Sequence, residues 1–137
     1  MTSTTLTSPV GIVAASLLGI VVIFQLALAA GAPWGAAAYG GRAAQEDGRL
    51  PARYRVASVG TAAILTGALW LVLATSAVIS PAPLSESVLG VGAWVLVGLF
   101  ALNTVGNVAG RHPAERWGWG GVTGVLTILC VWIAATR

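Results

Sequence analysis

Residues 24–41 read FQLALAAGAPWGAAAYGG, and the way this stretch divides decides how the rest of the chain is parsed. A lone amide, Gln25, sits inside an apolar run, which Gly31 and Pro33 then break; a soft Gly/Ala/aromatic segment leads on to Arg42. Pro33 has no amide hydrogen and disfavours helix in the residue before it, so the first helix is predicted to end near Ala32. Residues 33–41 are too few to cross a bilayer, and Trp34 and Tyr39 suit an interfacial turn or short helix at headgroup level. An amide without a partner in an apolar medium costs roughly 2–7 kcal/mol, so Gln25 needs one.

The whole chain shares the character of that run. Of its 137 residues 57 % are hydrophobic and 8 % charged, where a soluble domain has about 25 % charged; the mean hydropathy is +0.88. A helix needs about 20 apolar residues to cross the ~30 Å hydrocarbon layer, and four stretches qualify: residues 10–32, 53–80, 85–109 and 113–136. Short connections make neighbours antiparallel, so the predicted fold is a single all-α membrane domain, an up-down four-helix bundle. Pro9 suits the first turn of helix 1 with Ser8 as its cap, Pro51 the first turn of helix 2, and Pro113 the opening of helix 4. The SPAP run at residues 80–83 stops helix 2, and Ser85 caps helix 3 with Glu86 in its first turn. The polar, uncharged N-terminus lacks the basic start of a secretory signal, so the first helix is read as retained.

The net charge of +3 comes from arginine alone. Arg42, Arg49, Arg53, Arg55, Arg111 and Arg116 fall in the first and third loops, and the second loop has none; Arg137 is the exception. By the positive-inside rule both termini lie outside, with loops one and three in the cytoplasm of an inner-membrane protein. That distribution explains the basic balance without nucleic acid. Cys130, the one cysteine, and His112, the one histidine, leave no metal-ligand cluster, and nothing implies a cofactor.

Depth at ~1.5 Å per residue gathers the polar side chains. Gln25, Asn103 and Asn107 come out in the cytoplasmic half, the two asparagines four apart on one helix face. Ser58, Thr61 and Thr123 fall at comparable depth. One reading is interhelical glue, worth on average about 0.6 kcal/mol per bond. The other is a polar pocket rimmed by Arg53, Arg55, Arg111 and Arg116, suited to a phosphate or carboxylate headgroup. Trp70, Trp94 and Trp132, deeper toward the outer side, are either lipid-facing or the lining of an aromatic cavity for a polyene or cation. Glu46, Asp47 and Glu115 fall in basic loops, where pairing with arginine is the default. No carboxylate falls in the interior of a spanning helix, which weighs against proton-coupled transport. Gly106 and Gly110, and Gly120 and Gly124, repeat a small-xxx-small spacing compatible with a homo-oligomer.

The segment FQLALAAGAPWGAAAYGG followed by LPARYRVAS resembles an uncharacterised family of small bacterial four-helix membrane proteins, which share a Q-x-A-L-x-x-G-A-P-x-G segment, a Gly-Gly and an L-P-x-x-x-R turn. LNTVGNVAGRHPAERWGWGGVTGVL is similar to that family's Asn-containing third helix and basic, Trp-containing entry to helix 4. The resemblance implies the four-helix architecture and no activity; Ala36 stands where members often carry an acidic residue. In size and helix count the chain also resembles small multidrug transporters, without their glutamate in helix 1.

Three functions follow as expectations. The first is a membrane protein that binds a lipid-like or isoprenoid ligand, or a partner helix, through Gln25, Asn103 and Asn107. The second is a membrane enzyme of isomerase or cyclase type on an amphipathic substrate, with Glu46, Asp47 or Glu115 reaching inward. The third is a small dimeric transporter.

Overall fold

The computed structural model describes residues 2–137, with side chains from residue 7 onward. Four long helices form an antiparallel bundle: α1 (Thr2–Ala30), α2 (Ala52–Thr75), α3 (Glu86–Val108) and α4 (Gly120–Thr136), the last entered through a π-helical turn, Ala114–Trp119. Among the described residues there is no strand. Four segments, each of 23 or 24 residues, are long and apolar enough to cross a membrane, and the chain is a multi-pass membrane protein. α1 packs along α2 and α3 along α4, while α1 also lies against α4 and α2 touches α3.

The core is one narrow stripe per helix. Ala14 and Leu18, Leu65, Ala68 and Val72, Leu96 and Phe100, and Leu126, Cys130 and Ile133 recur at three- and four-residue steps and meet at the bundle axis. The other faces are as apolar as the core: Ile23, Val56, Val91, Leu102 and Ile128 all stand exposed. Helices apolar all round have hydrocarbon as their surroundings. Close backbone approach then supplies much of the packing. At Gly11 a β-carbon would collide with the Ser76 side chain, so α1 and the end of α2 meet there with no room to spare.

Each terminus has a local cause. α1 ends in a Schellman motif: Gly31 has φ +101, Gly31 N–H donates to Leu28 O at 3.1 Å and Ala32 N–H to Ala27 O at 2.9 Å. α2 stops at Thr75, short of the predicted Ser80. Ala77 turns left-handed at φ +57, and Val78 N–H reaches back to Leu73 O at 2.9 Å, closing the same motif early without a glycine. Pro9 lies inside α1 and does not open it. Near a helix start it removes one amide donor, and Ser8 Oγ, expected as a cap, donates instead to Ser76 O at 3.0 Å. Pro51 is the residue before α2 rather than its first turn, and Ser85 caps α3 as expected, its Oγ accepting from Val88 N–H at 3.4 Å.

The segment after α1 folds back over that end of the bundle as two short 3-10 turns, Gly35–Ala37 and Tyr39–Gly41. Leu28, Ala38 and Leu50 bury together to pin it, flanked by Phe24, Tyr39 and Tyr54. Gly35 N–H donates to Gly48 O at 2.8 Å, and a β-carbon at Gly35 would run into that carbonyl.

Candidate functional site

At the arginine-bearing end of the bundle, the folded-back segment and all four helices enclose a half-open cavity of about 500 Å³. Gln25, Asn103, Asn107, Thr61 and Thr123 all line it, so the polar side chains that the sequence puts at one depth do share one space. Leu18, Val21, Leu65, Phe100 and Leu126 form its apolar floor. Ser58 stands behind the wall: it is fully buried, and its Oγ lies 2.9 Å from Tyr39 OH. That bond, with a tilted stack of Tyr39 on Tyr54 at 5.0 Å, holds Tyr39 at φ +52 on the cavity side.

The hydrogen bonds divide the polar set. Asn103 Nδ2 donates to Leu99 O at 2.9 Å on its own helix, and Asn107 Nδ2 to Thr123 Oγ1 across to α4 at 3.3 Å. Thr61 and Thr123 donate to their own helix backbones, to Ala57 O and Trp119 O. Asn107 is therefore interhelical glue as well as lining. Gln25 is different, because its Oε1 is buried with no hydrogen-bond partner.

Glu115 departs from the expectation of a loop carboxylate paired with arginine. It lies in Ala114–Thr136, one of the four apolar segments, is 4 % exposed, and lines the cavity. Among the described residues no arginine pairs with it. Its Oε1 accepts from Gly40 N–H at 2.9 Å, tying the folded-back segment to the entry of α4. Gly110 makes room for it, since a β-carbon there would strike the carboxylate. Its Oε2 is buried and has no partner. Among the described residues Gln25 Oε1 and Glu115 Oε2 are the buried side-chain oxygens left without one, and their residues line the same cavity. The π-turn offers a reason for the placement, because a wider turn re-aims side chains and such turns recur at functional sites. Glu46 and Asp47 remain exposed, with Asp47 3.9 Å from Arg49.

The expected arginine rim is not formed around the cavity, because none of the four guanidinium groups lines it. Arg55 Nε donates to Ala29 O at 2.8 Å and Arg116 Nε to Val108 O at 3.0 Å. Both satisfy carbonyls that the ends of α1 and α3 leave open. Arg53 lies over the Tyr54 ring at 4.9 Å, and Arg111 is exposed. The aromatic cavity expected at Trp70, Trp94 and Trp132 is not formed either. The three rings stand on the outer faces of different helices, Trp94 being 55 % exposed, which is the lipid-facing alternative. The tryptophan that does line the polar cavity is Trp119, tilted against Phe24 at 4.3 Å; these two rings divide it from a neighbouring apolar cavity of about 510 Å³ beside Trp34 and His112.

The glycine pairs serve the chain's own packing. Gly120 faces Val108 and Gly124 faces Thr104 on α3, Gly110 houses Glu115, and Gly106 lines the cavity with open space around it. Among the described residues no three His, Cys, Asp or Glu side chains are grouped to hold a metal.

α2 and α3 meet closely at the far end, where Leu71 packs on Gly92, whereas Gly60 and Gly106 at this end have nothing beside them. Exposed Leu102 and Asn103 belong to the cavity wall, so the opening lies at the side of the bundle between α2 and α3. No protein-family model, no curated protein and no solved structure matches the chain.

Proposed function

We propose that this protein binds a lipid-like or isoprenoid amphiphile, with the polar head in the cavity at the arginine-bearing end and the tail leaving between α2 and α3. The observation that carries this reading is a pair of buried, partnerless oxygens, Gln25 Oε1 and Glu115 Oε2, on residues lining a cavity whose floor is apolar and whose side is open. A buried acceptor without a donor costs about 1–3 kcal/mol, more for a charged group. A ligand that brings a donor recovers that energy. Pockets of about 300–1,000 Å³, mostly apolar with a few convergent polar groups, are the usual size and make-up for small-molecule sites. Arginine in the first and third loops supports an orientation in a bacterial inner membrane with this end cytoplasmic and both termini outside.

Native mass spectrometry of the gently solubilised protein, followed by extraction, tests the reading. A specific amphiphile is expected on the wild-type chain and lost from Gly106→Phe, which fills the mouth between α2 and α3. Equal and unspecific lipid on both proteins would refute it.

A second reading is favoured by Glu115 alone: a membrane enzyme of isomerase or cyclase type in which Glu115 moves a proton to or from a bound amphipathic substrate. A carboxyl group beside an apolar cavity is a suitable general acid or base. Turnover abolished by Glu115→Gln with binding retained would separate it from simple binding.

A further inference from the structure

Resting on the reading of the cavity as an amphiphile site, we infer that its occupant carries a cationic head with N–H donors: a long-chain primary amine or the amine of an aminolipid. The cavity is lined by a carboxylate and by no guanidinium group, and its asparagine amides already donate to Leu99 O and Thr123 Oγ1. Glu115 keeps one oxygen on Gly40 N–H, while its other oxygen and Gln25 Oε1 are buried without a partner on two residues that line the cavity. Arg55 and Arg116, the cations that could answer that carboxylate, are committed to the carbonyls of Ala29 and Val108. A buried carboxylate requires a counter-charge and donors to its lone pairs, and the described residues supply one amide. A primary ammonium offers three N–H groups to acceptors that lack a donor. A quaternary ammonium offers none, and a phosphate would add acceptors to acceptors.

Phe24, Tyr39 and Trp119 line the same cavity, and aromatic rings attract a cation through their ring electrons. They also explain why the site tolerates an alkyl tail beside the head. The side opening between α2 and α3 faces the surrounding hydrocarbon, so the tail stays in the membrane while the amine reaches Glu115. No covalent step is involved.

The test is calorimetric titration of the full chain, purified in a maltoside detergent, with five amphiphiles: dodecylamine, dodecyltrimethylammonium, dodecanol, dodecyl phosphate and a lysophosphatidylethanolamine. Dodecylamine is expected to saturate at one per chain, about tenfold or more tighter than dodecyltrimethylammonium or dodecanol, as charge-assisted hydrogen bonds require. Dodecyl phosphate is expected not to bind. Lysophosphatidylethanolamine binding like dodecylamine identifies an aminolipid head as the source of the amine; its failure identifies a free long-chain amine. Glu115→Gln should cost the amine about tenfold or more and leave dodecanol unchanged, and Gln25→Leu should cost it less. Dodecyl phosphate or dodecanol binding as tightly as the amine would overturn the inference and leave the amphiphile site standing. Absence of any saturable binding would overturn both. The ligand series on the wild-type chain decides the matter even if Glu115→Gln does not fold.

Discussion

Glu115 is the residue on which the site turns, and its surroundings can be tested one atom group at a time. Gly110 is small because the carboxylate occupies the space where its side chain would stand. Gly110→Ala should therefore push Glu115 off Gly40 N–H, destabilising the protein by about 1–3 kcal/mol in a detergent melt, as overpacking does. Ser58 is fully buried, and the Tyr39 hydroxyl faces it at 2.9 Å. Tyr39→Phe should cost about 1–3 kcal/mol by leaving a buried hydroxyl one partner short, while Tyr39→Phe with Ser58→Ala should recover part of that loss. Gln25, Asn103 and Asn107 were legible from the sequence, because an amide in an apolar run is conspicuous and the rise per residue places it in depth. Glu115 was not. It follows Arg111 and precedes Arg116, which reads as a basic loop, and its burial depends on a distant segment folding back to bring Gly40 to it.

Among the elements, the four helices could be read from apolar length between Gly, Pro and Arg, and their inward faces could not. A helix apolar on every side gives no periodic contrast, so the stripe of Leu65, Ala68 and Val72 looks in sequence like the exposed Val56, Val59 and Ile64. The early end of α2 was hidden for a related reason: no glycine marks it, and Ala77 takes the left-handed position instead. Ala77→Gly should raise stability by about 1 kcal/mol, the cost of a β-carbon in that conformation, read as a higher melting temperature. Helix ends also account for the arginines misread as an anion rim. Arg116→Gln should lower stability by about 1 kcal/mol, the value of one helix-end hydrogen bond, and leave amphiphile binding unchanged. A rim of anion-binding arginines would reverse both outcomes. The tight contact of α1 with the end of α2, at Gly11 and Ser76, should tolerate no enlargement, so Gly11→Leu is expected to prevent a monodisperse preparation.

For the whole molecule, the two ends of the bundle are held by different contacts. Leu71 on Gly92 closes α2 against α3 at the far end, and the salt bridge of Arg137 to Glu86 at 2.8 Å joins α4 to the start of α3 there. The arginine-bearing end is held by the folded-back segment instead, which leaves the cavity between the helices and its side open to the membrane. The sign of charge in that polar interior is the claim on which the account stands. Cysteine modification tests it directly. In a Cys130→Ala background, Asn107→Cys lines the cavity and Val108→Cys faces outward. Each is to be treated with a methanethiosulfonate bearing an ammonium and with one bearing a sulfonate, the rates being normalised to a free thiol. The account predicts that Asn107→Cys favours the cationic reagent, that Glu115→Gln removes this preference, and that Val108→Cys shows no change on Glu115→Gln. Equal normalised rates at Asn107→Cys, or a preference that survives Glu115→Gln, would contradict it.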